Sequence, residues 1–257
     1  MIAINQLHSS AKLFFFLTFL LLGINAKADT LRNLQKAYPD NVDRVTSSFI
    51  ACKDGTRIPI DNSASVIDWL TGSFYHLDNS FGSISNKELS RDIYEPFFRK
   101  MYGNSAHEVK KKLVKIYWMQ NVFGTRYPLN VTTVNDVNKK LLEVSNELEQ
   151  LPPSYYKYLE NPAPNFYWRS VAGENYLSMH SFGIAIDINV HYSNYWLWDF
   201  LKLKRPISDL RYYKLSYQNK IPQKIVQIFA KHGFFWGGNW YFYDTMHFEY
   251  RPELLMG

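Results

Sequence analysis

Apolar residues recur at helical spacing along two stretches in the first half of the chain. One stretch opens at Ser105 with the sequence Ser-Ala-His-Glu, which is typical of a capping box at a helix start, and continues to about Val122. The other begins near Thr133 and ends before Pro152, because proline cannot continue a helix. Its apolar stripe is formed by Val134, Val137, Leu141, Val144 and Leu148. The pattern therefore predicts two amphipathic helices in this region.

The second half of the chain combines strand patterns with one further helix. Residues 184–189 alternate strictly, which predicts a half-buried strand with its isoleucines toward the core and Asp187 on the other face. Residues 222–232 have helical spacing, with proline at the first position and Gly233 just past the end. Residues 236–250 are aromatic and interrupted by glycine, and they predict a hairpin or two short strands. With a short strand at residues 57–60, these elements indicate the α+β class with a helical front half.

A different kind of apolar run lies near the N-terminus. Residues 13–22 are almost all leucine or phenylalanine, and this run is shorter than the ~20 residues that a bilayer-spanning helix needs. Lys12 precedes it, and Ala26-Lys27-Ala28 fits the small-x-small pattern of a cleavage site. We therefore predict a secretory signal peptide over residues 1–28, an exported protein that is periplasmic or secreted, and no membrane span after cleavage. The alternative is an uncleaved N-terminal anchor.

Composition and charge exclude several classes of protein. The chain has 257 residues, of which 46% are hydrophobic and 20% charged, as expected of a folded domain rather than a disordered or fibrous one. Loss of Lys12 and Lys27 with the signal peptide would lower the formal net charge from +6 to +4, and no basic run indicates binding to nucleic acid. Cys52 is the only cysteine, so an intramolecular disulfide is impossible and any metal must be bound by histidine and carboxylate.

Two segments carry residues that could bind one metal ion together. In the first, Ser178 to Asp187, His180 precedes a predicted turn and Asp187 lies on the strand that follows, so both side chains could reach one point. The second segment, Asp244 to Glu249, supplies another imidazole from His247. Imidazole nitrogen and carboxylate oxygen are good zinc ligands, and three protein ligands leave one position open, as in catalytic zinc sites.

The spacing between Asp244 and His247 indicates a different role for Asp244. Residues three apart point to opposite faces of a continuous strand, so we expect Asp244 in a turn before the strand that carries His247. From a turn its carboxylate could act as a general base without binding the metal. Taken singly, each residue has a simpler interpretation: a surface or core histidine for His180 and His247, an ion pair for Asp187, and a turn cap for Asp244.

The two segments also fit motifs of fixed spacing. The sequence Ser-x-His-x-x-Gly-x-Ala-x-Asp is complete from Ser178 to Asp187, and an acid followed three residues later by histidine is present as Asp244 and His247. The segment from Gly233 to Trp240 reads Gly-Phe-x-Trp-Gly-Gly-x-Trp. Together these sequences resemble the M15 zinc peptidases, the VanY-like D-Ala-D-Ala carboxypeptidases and L-Ala-D-Glu endopeptidases, and the last is similar to the endopeptidase-like branch. The resemblance extends roughly from Tyr167 to Tyr250.

This resemblance implies a compact α+β fold, like that of D-Ala-D-Ala peptidases and hedgehog domains, whose helical front half packs on a small antiparallel sheet carrying the zinc site. It implies that His180, Asp187 and His247 bind Zn²⁺, that Asp244 is the catalytic acid and base, and that the substrates are peptidoglycan stem peptides or muropeptides. Arg169 fits the Arg-x-x-Ala-Gly pattern of the endopeptidase-like branch, which implies that its guanidinium holds the substrate or stabilises an oxyanion. An ordinary surface arginine is the alternative.

We expect the chain to consist of the signal peptide, an N-terminal extension over residues 29–104 packed on the catalytic domain, and a zinc peptidase domain over residues 105–257. The sequence leaves open whether the enzyme is a carboxypeptidase or an endopeptidase. Two other functions stay open: a non-catalytic cell-wall binding protein with a structural zinc, against which the presence of Asp244 argues, and a metallohydrolase of other D-amino-acid peptides.

Overall fold

The structure is a computed structural model, and the part of the chain that it describes is given by five ranges. These ranges are residues 33–60, 95–171, 176–204, 216–240 and 242–256. The predicted signal peptide lies outside the described residues. Among the helices of the described ranges, none is both long and apolar enough to cross a membrane.

The chain divides into two units, of which the first is Met1–Gly72. Its described part contains a three-stranded antiparallel meander whose strands follow the order of the chain. The strands are β1 (Val42–Val45), β2 (Phe49–Cys52) and β3 (Arg57–Pro59). Ile50 and Ile58 are direct partners across β2 and β3, and both are buried. The strand β3 confirms the short strand predicted at residues 57–60, and Cys52 is buried in β2.

The second unit, Ser73–Gly257, begins its described part with short helices and a β-hairpin. These elements are α1 (Glu95–Tyr102), α2 (Ala106–Lys110), β4 (Leu113–Tyr117), α3 (Gln120–Phe123) and β5 (Pro128–Thr132). The predicted capping box is present, because the Ser105 side chain accepts a hydrogen bond from the Glu108 N–H at 3.3 Å. The Glu108 carboxylate in turn accepts from the N–H of Asn104 at 2.8 Å, one residue before the cap.

The predicted continuation of this helix to Val122 is wrong beyond Lys110. Residues Leu113–Tyr117 form β4, which pairs antiparallel with β5 over five residues. The sequence Leu-Val-Lys-Ile-Tyr is rich in residues that favour strands, and β5, close by in the chain, satisfies its backbone hydrogen bonds. The local helix signal at Ser105 is therefore correct, but strand pairing decides the conformation after the first turns. The predicted helical front half is corrected accordingly, since it contains strands as well as helices.

The second predicted amphipathic helix is confirmed as α4 (Val137–Leu148). A 3-10 helix over Val134–Asp136 precedes it. The buried side of α4 consists largely of the predicted apolar stripe, namely Val137, Leu141, Val144 and Leu148. Pro152 follows the helix end, as expected of a residue that cannot continue a helix.

The remaining elements form a second small sheet and the helix that covers it. They are β6 (Ala185–Asp187), α5 (Trp196–Leu201), α6 (Gln223–Lys231), β7 (Phe234–Trp236) and β8 (His247–Tyr250). In the described ranges, 3-10 helices that connect or extend them are Pro153–Tyr158, Met179–Phe182, Val190–Tyr192, Gly237–Asn239 and Pro252–Leu254. The sheet is antiparallel with β8 in the centre, in the order β6-β8-β7. The predicted helix at residues 222–232 is thereby confirmed. Of the hairpin or two short strands predicted over residues 236–250, β8 is confirmed, whereas the strand that pairs with it, β7, ends at Trp236 and so lies almost entirely before the predicted range.

Aromatic packing holds α6 against this sheet. The ring of Phe229 in α6 stacks on Phe248 in β8 with 3.8 Å between centroids, and the ring of Trp118 also stacks with Phe229, with 6.1 Å between centroids. The strand β6 is shorter than predicted and is covered on both faces, because Ala185 and Ile186 are both buried. The α+β class is confirmed, and the sheet offers a rigid, buried frame for side chains on the face opposite α6.

Candidate metal centre

A short turn with defined ends presents the first histidine. Residues Met179–Phe182 form a 3-10 helix that Ser178 caps, because its side chain accepts from the His180 N–H at 3.4 Å. Gly183 ends the turn with φ of +68°, a left-handed conformation that glycine adopts without strain. Its N–H donates to the carbonyl oxygen of His180 at 3.2 Å. The serine and glycine of the first motif thus define where His180 lies and where β6 begins.

Strand register brings the other two predicted ligands together. Asp187 in β6 is the direct antiparallel partner of His247 in β8. Directly opposed residues project from the same face of a sheet, so the carboxylate and the imidazole lie side by side. Ile186 and Phe248 form the neighbouring pair and project toward the opposite face. The polar pair and the apolar pair are therefore separated by the pleat of the sheet.

The three predicted ligands meet at one point. His180 Nε2 lies 3.2 Å from Asp187 Oδ1 and 3.2 Å from His247 Nδ1, and His247 Nδ1 lies 2.9 Å from Asp187 Oδ1. Ligand atoms about 2.1 Å from a tetrahedrally coordinated zinc ion lie about 3.4 Å from one another, which is close to these separations. Both imidazoles are almost fully buried, whereas 18% of the Asp187 side chain is exposed. The arrangement fits a small divalent cation with an approach from solvent on the carboxylate side.

Hydrogen bonds on the outer side of each imidazole indicate which nitrogen faces the centre as an acceptor. His180 Nδ1 lies 3.0 Å from the carbonyl oxygen of Asn165, which can only accept, so Nδ1 carries a proton and Nε2 presents a lone pair. His247 Nε2 lies 2.9 Å from Glu249 Oε2, so the same argument places a lone pair on Nδ1. With both imidazoles neutral, two nitrogen lone pairs and the Asp187 carboxylate converge, and a cation between them satisfies all three.

The electrostatics of the metal-free centre support this conclusion. Burial by itself would raise the pKa of Asp187, but His180 and His247 hold it well below the usual range of an aspartate. Burial by itself would lower the pKa of His247, but its hydrogen bonds to Asp187 and Glu249 outweigh this and raise the pKa to about 9. Without a metal ion, a proton on His247 supplies the positive charge that the carboxylates favour.

Asp244 lies where the spacing predicts. It precedes a two-residue turn, and β8 begins at His247, whose N–H donates to the Asp244 carbonyl oxygen at 3.2 Å. The Asp244 N–H donates to the Gly237 carbonyl oxygen at 3.0 Å. A Cβ atom at Gly237 would come within 2.6 Å of the Asp244 carbonyl oxygen, so glycine is required there for this close approach. Asp244 is thus held by its backbone in a half-buried turn beside His247.

The turn that carries Asp244 is also tied to neighbouring segments. Tyr195 forms an isolated antiparallel bridge with Asp244. The Thr245 N–H and hydroxyl both donate to the Asn194 carbonyl oxygen, and the Trp236 indole N–H donates to the Thr245 carbonyl oxygen at 2.9 Å. The ring of Trp240 lies 5.4 Å from that of His247. The aromatic segment that the sequence placed after α6 therefore shapes this turn and covers the imidazole.

Arg169 is anchored near His180 through its backbone only. Its N–H donates to the Ser181 hydroxyl at 3.0 Å, and its carbonyl oxygen accepts from the Ser178 N–H at 3.0 Å. The side chain is exposed, and its guanidinium donates to the Ser170 carbonyl oxygen at 3.3 Å. Within the described ranges, no hydrogen bond or ion pair joins this guanidinium to the three predicted ligands. Its role toward a substrate stays a prediction.

Several residues that support the centre could not be identified from the sequence. Asn165 contributes a backbone carbonyl, which leaves no trace in residue type, and its side chain bonds to the backbone of Asn130 in β5. Glu95 in α1 accepts from the Leu177 N–H at 2.6 Å, just before the first motif. Arg251 continues the line of buried charges beyond Glu249. Glu249 had a detectable signal, since it shares strand parity with His247 and could therefore orient a ligand.

Comparison with known families is consistent with this geometry. Residues 172–250 match a family model of the M15 peptidases, described as D-alanyl-D-alanine carboxypeptidase. The match supports an M15 family peptidase. It includes His180, Asp187, Asp244 and His247, whereas Arg169 precedes the segment that the M15 model covers. No curated protein and no solved structure matches the chain.

The metal-free protein should lose stability as the pH rises from about 6.5 to above 9. The pKa of His247 is raised in the folded state, so its contribution is fully present below the unfolded value of ~6.5 and is lost as the pH passes about 9. At ~1.4 kcal/mol per pKa unit, a shift from 6.5 to about 9 gives a loss of at most about 3.5 kcal/mol. Denaturant unfolding of chelator-treated protein across this range measures it.

The zinc-loaded protein and the variant His247→Gln serve as controls for this measurement. Zinc takes the place of the proton, so the loaded protein should not show this fall, and the variant should lack it without metal. A metal-free wild type whose stability is level or rises between these pH values would contradict the assignment of a proton to His247.

Proposed function

We propose that this chain is a zinc-dependent peptidase that hydrolyses peptide bonds beside D-amino acids in peptidoglycan stem peptides. The proposal includes both a D-Ala-D-Ala carboxypeptidase and an L-Ala-D-Glu endopeptidase, since the position of the cleaved bond depends on how the cleft ends. The observation that carries it is the convergence of three acceptor atoms, from His180, Asp187 and His247, within the segment that matches the M15 family.

In this proposal, His180 Nε2, Asp187 Oδ1 and His247 Nδ1 hold the zinc ion. The fit of their separations to tetrahedral ligands and the outward hydrogen bonds of both imidazoles support it. When bound, zinc would act as a Lewis acid that polarises the scissile carbonyl and lowers the pKa of water. The partial exposure of Asp187 leaves a route by which substrate can reach the ion.

Asp244 is the proton carrier in this proposal. Its carboxylate takes the proton that water loses as the water oxygen bonds to the scissile carbon, and it passes this proton to the leaving amine as the C–N bond breaks. The turn that holds Asp244 is fixed to Gly237 and His247 through backbone hydrogen bonds, which supports a defined distance between carboxylate and metal site. No residue other than Asp244 needs to change its protonation in this sequence.

Arg169 is proposed to bind the substrate by its guanidinium, as the family resemblance implies. The anchoring of its backbone to Ser178 and Ser181 keeps the residue beside the His180 turn. Its side chain would exchange the hydrogen bond to the Ser170 carbonyl for one to a substrate carbonyl or carboxylate. Because the exchanged bond is solvent-exposed and its acceptor is an uncharged carbonyl, the cost of this movement is small.

Incubation of the zinc-loaded protein with defined muropeptides tests the activity. We expect zinc-dependent products in mass spectrometry: loss of a terminal D-Ala for a carboxypeptidase, or separation of L-Ala from D-Glu for an endopeptidase. Chelated protein is the control. If no stem peptide yields a product, the result would contradict the proposal and favour a cell-wall binding protein with a structural zinc or a hydrolase of other D-amino-acid peptides.

The variant Asp244→Asn should retain zinc and lose turnover. The amide has nearly the same shape but cannot accept a proton at neutral pH, so kcat/KM should fall by a factor of roughly 10² to 10⁴. The matched control is Asp136→Asn, an exposed aspartate that pairs with Lys139 and lies outside the centre. Zinc content and kinetics of both variants are measured together, and a near-normal rate for Asp244→Asn would remove Asp244 from this role.

We also propose that the protein is exported, because residues 1–28 combine a short apolar run with a small-x-small cleavage pattern. Intact mass measurement on protein recovered from the exported fraction of producing cells should show a chain that begins at Asp29. A chain that retains residues 1–28 and sediments with membranes would favour the uncleaved anchor instead.

A further inference from the structure

A chain of buried charged groups extends from His247 along the end of β8. Glu249 Oε2 lies 2.9 Å from His247 Nε2, and Glu249 Oε1 accepts from Arg251 Nη1 at 3.2 Å. Arg251 Nε donates to Glu253 Oε1. The side chains of Glu249, Arg251 and Glu253 are each no more than 4% exposed. We call the three residues Glu249, Arg251 and Glu253 the relay.

Strand geometry explains how neighbouring sequence positions form this chain. His247, Glu249 and Arg251 are two residues apart, so they project from the same face of the strand and its extension. The Arg251 N–H donates to the Gly233 carbonyl oxygen, which continues the pairing of β8 with the segment of β7. The 3-10 helix Pro252–Leu254 then turns Glu253 back toward the guanidinium. The relay is thus continuous with the strand that carries His247.

Burial of three charges is not an efficient way to stabilise a fold. Removal of ionic groups from water costs several kcal/mol per ion, and such groups can often be replaced by apolar residues without loss of stability. A carboxylate on the outer nitrogen of a metal-binding histidine has another effect, because it determines the tautomer, orients the ring and increases the basicity of the inner nitrogen. The position of Glu249 satisfies this description.

The charges of the connected groups also agree with a divalent ion. Arg251 and Glu253 form an ion pair and offset each other's charge, so the charge next to the histidines is −2, from ionised Asp187 and Glu249, when both histidines are neutral. A bound dication brings this charge to zero, whereas a monovalent ion leaves a negative charge in a poorly solvated interior.

We propose that Glu249 is a positioning residue that orients His247 Nδ1 toward the metal and raises its affinity, and that Arg251 holds Glu249 in place. This inference rests on the metal site of the proposed function and deepens it. Glu253 balances the charge of Arg251 and has no contact with His247 among the hydrogen bonds described above. The relay therefore predicts unequal effects for two buried glutamates that bind the same arginine.

A purely structural relay is the competing explanation. Arg251 lies over the ring of Phe98 in α1, with its guanidinium carbon 5.0 Å from the ring centroid. The relay therefore also connects the end of β8 to α1. In that case Glu249 and Glu253 would be equivalent supports of Arg251, and neutralising either would lower the stability of the fold without a selective effect on the metal.

Zinc affinities of Glu249→Gln and Glu253→Gln, measured by chelator competition, distinguish the two explanations. Glutamine keeps the size of glutamate and removes its charge in both variants. We expect affinity to fall by roughly 10- to 100-fold in Glu249→Gln and by no more than about threefold in Glu253→Gln. Equal losses in the two variants, or an unchanged affinity in Glu249→Gln, would overturn the proposal.

The chain offers a further matched control in Glu147, which also contacts a histidine away from the centre. Its Oε2 lies 2.9 Å from His232 Nε2, the same separation as between Glu249 and His247. Glu147→Gln should leave zinc affinity unchanged. A loss comparable to that of Glu249→Gln would mean that the measurement reports general stability, and it would count against the proposal.

A measurement on the unaltered protein covers the case in which Glu249→Gln does not fold. In ¹⁵N NMR spectra of the zinc-loaded protein, His247 should bind the metal through Nδ1 and carry a slowly exchanging proton on Nε2. Coordination through Nε2 would overturn the proposal. If the unaltered protein binds no zinc, the proposed function fails as well; if it binds zinc and cleaves muropeptides while the two glutamine variants behave alike, only this inference fails.

Discussion

The pairing of Asp187 with His247 across β6 and β8 is the constraint on which the centre depends. The side chains of a sheet alternate between faces, so a shift of the register by one residue would replace His247 by Phe248 at this point. The apolar face opposes such a shift, because Phe248 is stacked against Phe229 of α6 and has no exposed surface. Packing on one face of the sheet therefore fixes the chemistry on the other.

Around this pair, neighbouring segments fix the positions of the other side chains of the site. The turn between Ser178 and Gly183 places His180, and the carbonyl of Asn165 orients its ring. The hairpin β4–β5 holds Asn165 by two hydrogen bonds to Asn130, and Gly237 allows the close approach that positions the turn of Asp244. These contacts agree with a site whose geometry is determined before any ligand binds, which limits the reorganisation that binding or catalysis would require.

The charged side chains around His247 are mainly carboxylates, and most of them are buried. Carboxylates lie on both sides of His247, with Asp187 at the inner nitrogen and Glu249 at the outer one, and both raise its affinity for a positive charge. The guanidinium of Arg251 offsets part of this charge without touching the three converging atoms. A proton and a metal ion therefore compete for the inner nitrogen of His247, and the outer hydrogen bond to Glu249 makes that nitrogen the one that binds either of them.

Local signals in the sequence were sufficient for much of this molecule. The helices α4 and α6, the strands β6 and β8 and the turn before β8 follow from apolar spacing, proline and glycine positions, and the three-residue interval between Asp244 and His247. The three converging residues could be named because residue types with metal-binding chemistry recur at motif spacing. These features depend on residues that are near one another in the chain, which is why they can be recognised without coordinates.

Tertiary structure decided what depends on distant partners. Leu113–Tyr117 is a strand because β5 is available to pair with it, although its spacing also fits a helix. The hydrogen-bond partner of His180 Nδ1 is a backbone carbonyl, which any residue at position 165 would supply. Arg251 and Glu253 can be distinguished from ordinary surface charges only because the structure shows that both are buried. The guanidinium of Arg169 is exposed and bound to its neighbour, which its sequence pattern alone does not reveal. The sequence by itself determined which residues are candidates for the proposed metal site, whereas the fold decided which of their atoms converge and how each side chain is oriented, because both depend on contacts between segments far apart in the chain.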